Sequence, residues 1–478
     1  MSGDLSRDDL LSQGQAVLEW IATYLEHPER FPVLSQVRPG DIRKSLPANP
    51  PRAGEALETI IRDFETKIIP GITHWNHPAF FAYFACSPSI PGIIAELLTA
   101  ALDVKAMLWK TSPAATELEQ VATDWLRQML GLRDGWFGMT TDTASISTML
   151  ALAAAREARP DLEIRQRGMA GRADLPRLRV YASQHAHSSV DKAALTLGFG
   201  LENVVKVEDD DSFRMRPEAL AAAIADDRAT GYLPLACVAT VGTTSTSSID
   251  PVPAIAAICR REQVWLHVDA AYGGALAVVP EYRYILDGVE EADSLVVNPH
   301  KWLFTPFDCS VFFIKRPEVL KRAFSLVPEY LVTREQDDVV NYMDYGVQLG
   351  RRFRALKLWM IIRAFGTDGL AERLREHCAL ARTFAGWVEA SSDWRVTAPV
   401  PFSLVCFRYA PHGMSDADCD VKNEAIMHAV NETGQVFLSH TKLHGRFTLR
   451  LAIGNIRTEE HHVALAWRLL NEAAARQS

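Results

Sequence analysis

The sequence predicts an α/β protein: a mostly parallel sheet wrapped by helices, preceded by a helical segment and followed by a smaller α+β domain. Three observations predict it. From about residue 135 to 315, short apolar runs alternate with helical stretches, the pattern of a parallel sheet. From about residue 360, long helical patterns are joined by only three further strand-like runs. The chain has 478 residues, too many for one simple core, so two or three domains are expected.

The elements follow in order. Ser6-Arg-Asp-Asp9 reads as a capping box. Leu10, Val17, Leu18, Ile21 and Leu25 then form an apolar stripe at helical spacing, which Pro28 stops. Residues 35–52 are proline-rich and polar, a connector, and a second helix covers Gly54 to Lys67. These helices have no partners within their own segment, so their apolar faces need a larger domain or a second subunit. Ser112-Pro113 opens another helix with proline at its first position, Gly131 ends it, and Leu118, Val121, Trp125, Leu126 and Met129 are its expected buried face. The strand candidates of the large sheet are Arg179–Ala182, Leu235–Thr240, Val264–Val268, Leu295–Val297 and Val311–Ile314. Those of the C-terminal region are Ser403–Phe407, Gln435–Leu438 and Phe447–Ile453.

Composition narrows the class. Hydrophobic residues make up 48% and charged residues 23%, ordinary globular values. The net charge of −9 gives no electrostatic reason to expect nucleic acid. Seven cysteines, scattered and without a CxxC, argue for reduced thiols in the cytoplasm, without a disulfide frame or a zinc knuckle. No basic start followed by an apolar stretch opens the chain, and no run is long enough to span a membrane, so a secretory signal and a membrane partner are not expected.

The chemistry concentrates at two strand ends. The run Ser294–Val297 leads into Asn298-Pro-His-Lys-Trp302, and Val264–Val268 leads into Asp269-Ala-Ala-Tyr-Gly-Gly274. An acid and a lysine are thus delivered where open α/β sheets place their ligands. Such a pair suits pyridoxal phosphate: the lysine holds its aldehyde, and the carboxylate keeps its ring nitrogen protonated. The bland alternative is a plain salt bridge. Three further segments carry open readings. Thr140–Ser145 runs straight into a helical stretch, which makes an anion cradle or an ordinary start capped by Asp142. His185 and His187 share a face, which raises a zinc site, but no third ligand has known spacing; a loop histidine, or a ring stacked on a flat cofactor, are the alternatives. Thr244 ends another apolar run, and His267, two residues before Asp269, reads as a buried structural histidine.

His267-Val-Asp-Ala-Ala-Tyr-Gly, Asn298-Pro-His-Lys-Trp302, Phe307-Asp-Cys-Ser310 and Leu349–Trp359 together resemble the pyridoxal-phosphate-dependent group II amino-acid decarboxylases. The aromatic-L-amino-acid decarboxylases are the branch most similar, and the resemblance runs nearly end to end. It implies the type I, aspartate aminotransferase-like fold with a seven-stranded sheet. The implied segments are 1–88 (helical, clasping a partner subunit), 89–360 (large cofactor-binding domain) and 361–478 (small α+β domain). It further implies a homodimer. By position, Lys301 would carry the cofactor and Asp269 pair with its ring nitrogen. His187 would stack on the ring. Ala144, Ser145 and Asn298 would hold the phosphate, with His300 close to it, and Thr244 would sit near the cofactor and the substrate carboxylate. Tyr330 matches the loop tyrosine that protonates the α-carbon after carbon dioxide leaves. Trp75, Cys86, Met107 and Gly350 would line the substrate pocket.

Several positions depart from the family pattern. Asp142 replaces a small residue, Ala85-Cys86 stands for a Pro-Thr pair, Met107 for a frequent phenylalanine, and Lys105 and Lys110 are unusual. Gly350 matches the glycine of indole-accepting members, where phenol-preferring ones have serine. The expectation is decarboxylation of an aromatic L-amino acid (tryptophan, DOPA, tyrosine or phenylalanine) to its amine. The rivals are an aromatic aldehyde synthase and a catalytically silent binding protein. Members of the aldehyde branch tend to replace the loop tyrosine or the stacking histidine. Both Tyr330 and His187 stand in this chain.

Overall fold

The computed structural model describes residues 4–326, 335 and 338–476. Two compact units divide the chain: Cys86–Arg382 with Ala398–Cys406, and Met1–Ala85 with Thr383–Thr397 and Phe407–Ser478.

The larger unit is built on seven strands: β1 (Phe137–Thr141), β2 (Leu178–Ser183), β3 (Val204–Val207), β4 (Leu233–Thr240), β5 (Trp265–Asp269), β6 (Ser294–Val297) and β7 (Ser310–Ile314). Their order is β1-β7-β6-β5-β4-β2-β3. Strands β3, β2, β4, β5 and β6 pair in parallel, while β7 runs antiparallel to both β6 and β1. Every residue of β5, β6 and β7 is buried, as near-continuous apolar strands require when both faces are covered. The helix Ala144–Glu157 supplies one cover, packing across β4 to β7. Its residues Ser147 to Ala155 are all buried, and four of them are alanines, which let the helix lie close to the sheet.

Two strands escape the apolar-run signal. In β1, Gly138 interrupts the pattern for a packing reason: a Cβ there would lie 2.6 Å from Thr123 Cβ on the helix Pro113–Met129. Strand β3 is a four-residue edge. The helix Pro113–Met129 begins as expected, with the Ser112 hydroxyl accepting the Ala115 N–H at 3.2 Å. Its buried face is not the expected one. Val121 is 40% exposed and Leu118 and Trp125 are half-buried, whereas Glu119, Thr123 and Arg127 are buried beside Leu126 and Met129. The cause is a polar one: Glu119 has a buried cationic partner.

A second sheet has the order β10-β11-β9-β8, from β8 (Trp394–Val396), β9 (Leu404–Tyr409), β10 (Ser439–Leu443) and β11 (Arg446–Ala452). Gln435–Leu438, expected as a strand, contributes only an isolated bridge, Phe437 to Phe80. The strand begins at Ser439 and turns back through His444 and Gly445, both at positive φ (47° and 79°), the geometry of a two-residue hairpin. Val33 N–H to Gly434 O and Ala452 N–H to Phe81 O bring N-terminal and C-terminal residues into this one unit. Its first helix, Arg7–Glu26, opens on the expected capping box of Ser6 and Asp9, yet none of its residues is buried. Among the described residues, no helix is long and apolar enough to cross a membrane.

Candidate active site

Asp269 is the last residue of β5, buried, with its Oδ1 accepting the Ala271 N–H at 3.0 Å. Lys301 lies on the short helix Pro299–Trp302 that follows β6, the strand beside β5. Two aromatic rings clamp these turns together. Trp302 stacks on Tyr272 at 4.7 Å and 7° and donates to His377 at 2.9 Å, while the Tyr272 hydroxyl meets Ser403 at 2.5 Å. Gly273 is demanded by the same crowding: a Cβ would sit 2.6 Å from the Val241 carbonyl.

Electrostatics tie the side chains into one site. Burial lowers the Lys301 pKa, opposed by the Asp269 carboxylate and then by Cys86. The Cys86 thiol is pushed up to about 11 by burial, with the Lys301 charge opposing. His187 is exposed by area, yet the surrounding protein withdraws enough water to lower its pKa. Asp269 opposes that fall, and Lys301 and Lys192 deepen it. His187 therefore shares an electrostatic neighbourhood with both members of the pair. Its Nδ1 accepts the Ser189 N–H at 3.1 Å, which fixes the ring. His185 turns elsewhere, its Nε2 2.9 Å from Asp209, so the two histidines do not converge.

The segment read as an anion cradle or a capped helix start lies past the end of β1. Thr143, not Asp142, is the N-cap of the helix Ala144–Glu157, and no side chain caps that helix. Asp142 turns back on its neighbour, accepting the Thr143 N–H at 2.6 Å and its hydroxyl at 3.2 Å, with Gln348 at 3.4 Å. The first-turn amides thus face no capping carboxylate, which leaves the helix start open to an anion. Ala144 packs on Ala271 and Val296, so the cradle borders the Asp269 turn, and Ser145 beside it is half-buried. Hydroxyls brace the edge: Thr141 to Ser147 at 2.8 Å, Ser147 to Ser310 at 3.4 Å, and Ser310 donating to Asn298 Oδ1 at 2.7 Å. His300 Nδ1 accepts the Cys309 N–H at 3.0 Å, and burial, with Lys301 next, takes its pKa down to about 3. Thr244 lies on an exposed turn beyond β4.

The proposed pocket residues are less concentrated. Met107 packs with Leu108 and Met343, and Gly350 is exposed, with nothing within 4 Å of a Cβ placed on it. Trp75 belongs to the other unit, where it stacks on Phe80 and Tyr83. Tyr330 lies outside the described residues. A cavity of about 770 Å³ opens at the N-terminal ends of β4 and β5, away from Asp269, and its Arg159, Arg228, Arg260 and Arg316 each face a carboxylate.

Sequence reasoning missed the groups that hold this site in shape. Glu119 accepts from Arg351 at 2.6 and 3.2 Å and from the Thr140 N–H at 2.8 Å. Arg351 also donates to the carbonyls of Ala106 and Thr140. Buried Asp250 accepts the N–H groups of Met215 and Thr240 at 2.7 and 2.8 Å, fixing the end of β4, and burial raises its pKa to about 6. A lone acid in an apolar stripe was the available signal for Glu119. Nothing local reveals its partner.

The donor set fits pyridoxal phosphate: an open helix start for a phosphate, a buried carboxylate at a strand end, a desolvated lysine on the short helix after the next strand and a flat imidazole nearby. Residues 39–410 match the family described as pyridoxal-dependent decarboxylase conserved domain. The chain is 41% identical over 481 residues to "Tyrosine decarboxylase 2" of Arabidopsis thaliana, covering 98% of this chain and 87% of that one. It is 39% identical over 481 residues to "Phenylacetaldehyde synthase" of the same plant, covering 98% and 97%. Among solved structures, "Oryza sativa TDC with PLP and tryptamine" superposes with a TM-score of 0.96 at 36% identity, covering all of both chains.

Proposed function

Because the chain belongs to the pyridoxal-dependent decarboxylases, we propose that it converts an aromatic L-amino acid to its amine and carbon dioxide. The observation that carries the proposal is the shared electrostatic neighbourhood of Asp269, Lys301 and His187, which follow the ends of β5, β6 and β2 in one sheet. Pyridoxal phosphate, once bound, supplies a protonated ring that takes up the electron pair released when a carboxylate leaves.

The chain's own residues would do the rest. Lys301, its pKa lowered by burial, offers the amine for a covalent tether. Asp269 holds a proton on the ring nitrogen by its opposite charge. His187 presents a flat face to the ring. The amides at Ala144 and Ser145 take the phosphate, with Asn298 and His300 beside them. Thr244 would lie toward the cofactor and the substrate carboxylate, and Cys86, Met107 and Gly350 toward the substrate side chain. Tyr330 returns a proton to the α-carbon. Tryptophan is the favoured substrate on two grounds: Gly350 leaves room for an indole, and the rice structure carries tryptamine.

A homodimer is part of the proposal. It is supported by the unburied first helix and by Ile90, Ile94, Leu97, Leu98 and Leu102, all exposed along the helix Ile90–Leu102. The setting we assign is the cytoplasm, in keeping with seven free cysteines and a net charge that invites no nucleic acid. The second reading, an aldehyde synthase, is favoured by the phenylacetaldehyde synthase relative.

The test uses purified protein loaded with pyridoxal phosphate. Borohydride reduction followed by peptide mass spectrometry should fix a pyridoxyl group on Lys301. A panel of amino acids should then give amine from an aromatic one; aldehyde with peroxide would replace the first reading by the second. Equal rates on glutamate would remove the aromatic assignment.

A further inference from the structure

The buried side-chain atoms without a hydrogen-bond partner among the described residues include Thr148 Oγ1, Ser189 Oγ, Thr240 Oγ1 and His267 Nε2. Two of them lie beside Asp269 in the sheet. Thr240 ends β4 in register with Asp269, and His267 precedes Asp269 by two residues on β5. Thr148 and Ser189 lie on two helices that pack on each other, Ala144–Glu157 and Ser189–Thr196, the first of which covers β4 and β5. Buried polar atoms that lack a protein partner call for one, and a small ordered water is the usual occupant of a polar gap.

His267 is the informative member. It is fully buried, and its Nδ1 lies 3.0 Å from Ser294 Oγ, which the Trp265 indole also engages at 3.1 Å. The ring is therefore fixed, with Nε2 left over. Residues two apart on a strand point to the same face, with Cα atoms roughly 6.5 Å apart. That gap is too long for many direct side-chain bonds and suits one bridging water. Burial takes the His267 pKa down to about 4, so near neutral pH the ring is uncharged and does not compete with Lys301 as a cation.

We propose that His267 is a positioning residue for Asp269: its Nε2 and the Thr240 hydroxyl hold a buried water against the Asp269 carboxylate and so orient that carboxylate toward the cofactor's ring nitrogen. The inference rests on the reading of Asp269 as the ring-nitrogen partner. Asp269 Oδ1 is engaged by the Ala271 amide, so a second anchor on the carboxylate fixes its plane.

The test compares H267F, H267Q and T240V with the parent protein and with D269N. Apoproteins are titrated with pyridoxal phosphate by fluorescence, and holoproteins carrying the ¹⁵N-labelled cofactor are read by NMR at the ring nitrogen. H267F should weaken cofactor binding roughly tenfold, the scale of one hydrogen bond to a charged group. It should also move the ¹⁵N signal toward the unprotonated position. H267Q, whose amide can still reach a water, should restore most of both, and T240V should shift both in the same direction by less. A folded H267F with unchanged affinity and unchanged ¹⁵N signal would overturn the proposal. If H267F does not fold, an unchanged T240V overturns it instead. D269N separates the two levels: if it too leaves both readouts unchanged, the assignment of Asp269 itself falls.

Discussion

Glu119 and Arg351 stand 232 residues apart and form a buried, two-pronged ion pair, with Arg351 Nη2 2.6 Å from Glu119 Oε1. The same guanidinium lies 4.6 Å over the Tyr342 ring and reaches the Ala106 and Thr140 carbonyls. The pair therefore touches the segment that carries Met107, the strand that leads into the helix start at Ala144, and the Tyr342 ring, while Arg351 itself is the neighbour of Gly350.

Removing one partner should be costly, because the other is left buried and uncompensated. Glu119→Gln should destabilise the protein by about 3–5 kcal/mol. Replacing both residues with Leu and Met should recover much of that loss, since a desolvated pair gains little over apolar packing. Urea unfolding of the three variants checks this. A single variant as stable as the parent would show that the pair holds nothing in place.

Tyr330→Phe should redirect the products. Without a hydroxyl to return the proton, the carbanionic α-carbon waits longer and is open to oxygen, so aldehyde and peroxide should rise at the expense of amine. Product analysis with the preferred substrate reads the ratio. Unchanged products would strip Tyr330 of its role.

Gly350→Ser should fold normally, because a Cβ there meets nothing within 4 Å. It should lower the tryptophan-to-tyrosine ratio of kcat/KM by roughly tenfold, the scale available to a small change in pocket shape. Competition assays measure that ratio directly. If it does not move, Gly350 is not a specificity position.

Acid should unfold the protein early. Burial depresses His267 and His77 to about 4 and His300 to about 3, from 6.5. Between pH 6.5 and 4 the unfolded chain binds protons that the folded one refuses. Stability is thus full above pH 6.5 and lost as the pH falls, each such histidine contributing roughly 3 kcal/mol. Asp250 works the other way: raised to about 6, it binds its proton in the folded chain first and offsets part of the loss below that pH. Three histidines outweigh one carboxylate. The thermal midpoint should fall steadily from pH 7 to 4.5, and a level profile would contradict the account.

Where the chain was legible, one physical regime was at work. Strands β4 to β7 are buried on both faces, so their apolar runs declare them without reference to anything distant. The Asp269 and Lys301 turns were legible for a related reason, since a charge ending such a run must have a purpose. What failed was decided by contacts between remote residues. Gly138 in β1 reads as a strand breaker until Thr123 is seen against it. Val121 reads as core until Glu119 takes the inward position to meet Arg351. The hairpin of β10 and β11 turns on His444-Gly445, a pair less conspicuous than Asn-Gly, and its first strand is polar enough to pass for loop.

Gly350 and Arg351 are neighbours with opposite tolerances. The first can gain atoms at no steric cost, and the second is held by hydrogen bonds to three distant segments. Selection acting on such a junction has an easy path: single-codon changes at the open position can drift through a population while the locked one keeps the scaffold intact. Diversification of diet among descendants of this chain should therefore begin at residue 350 and leave residue 351 untouched.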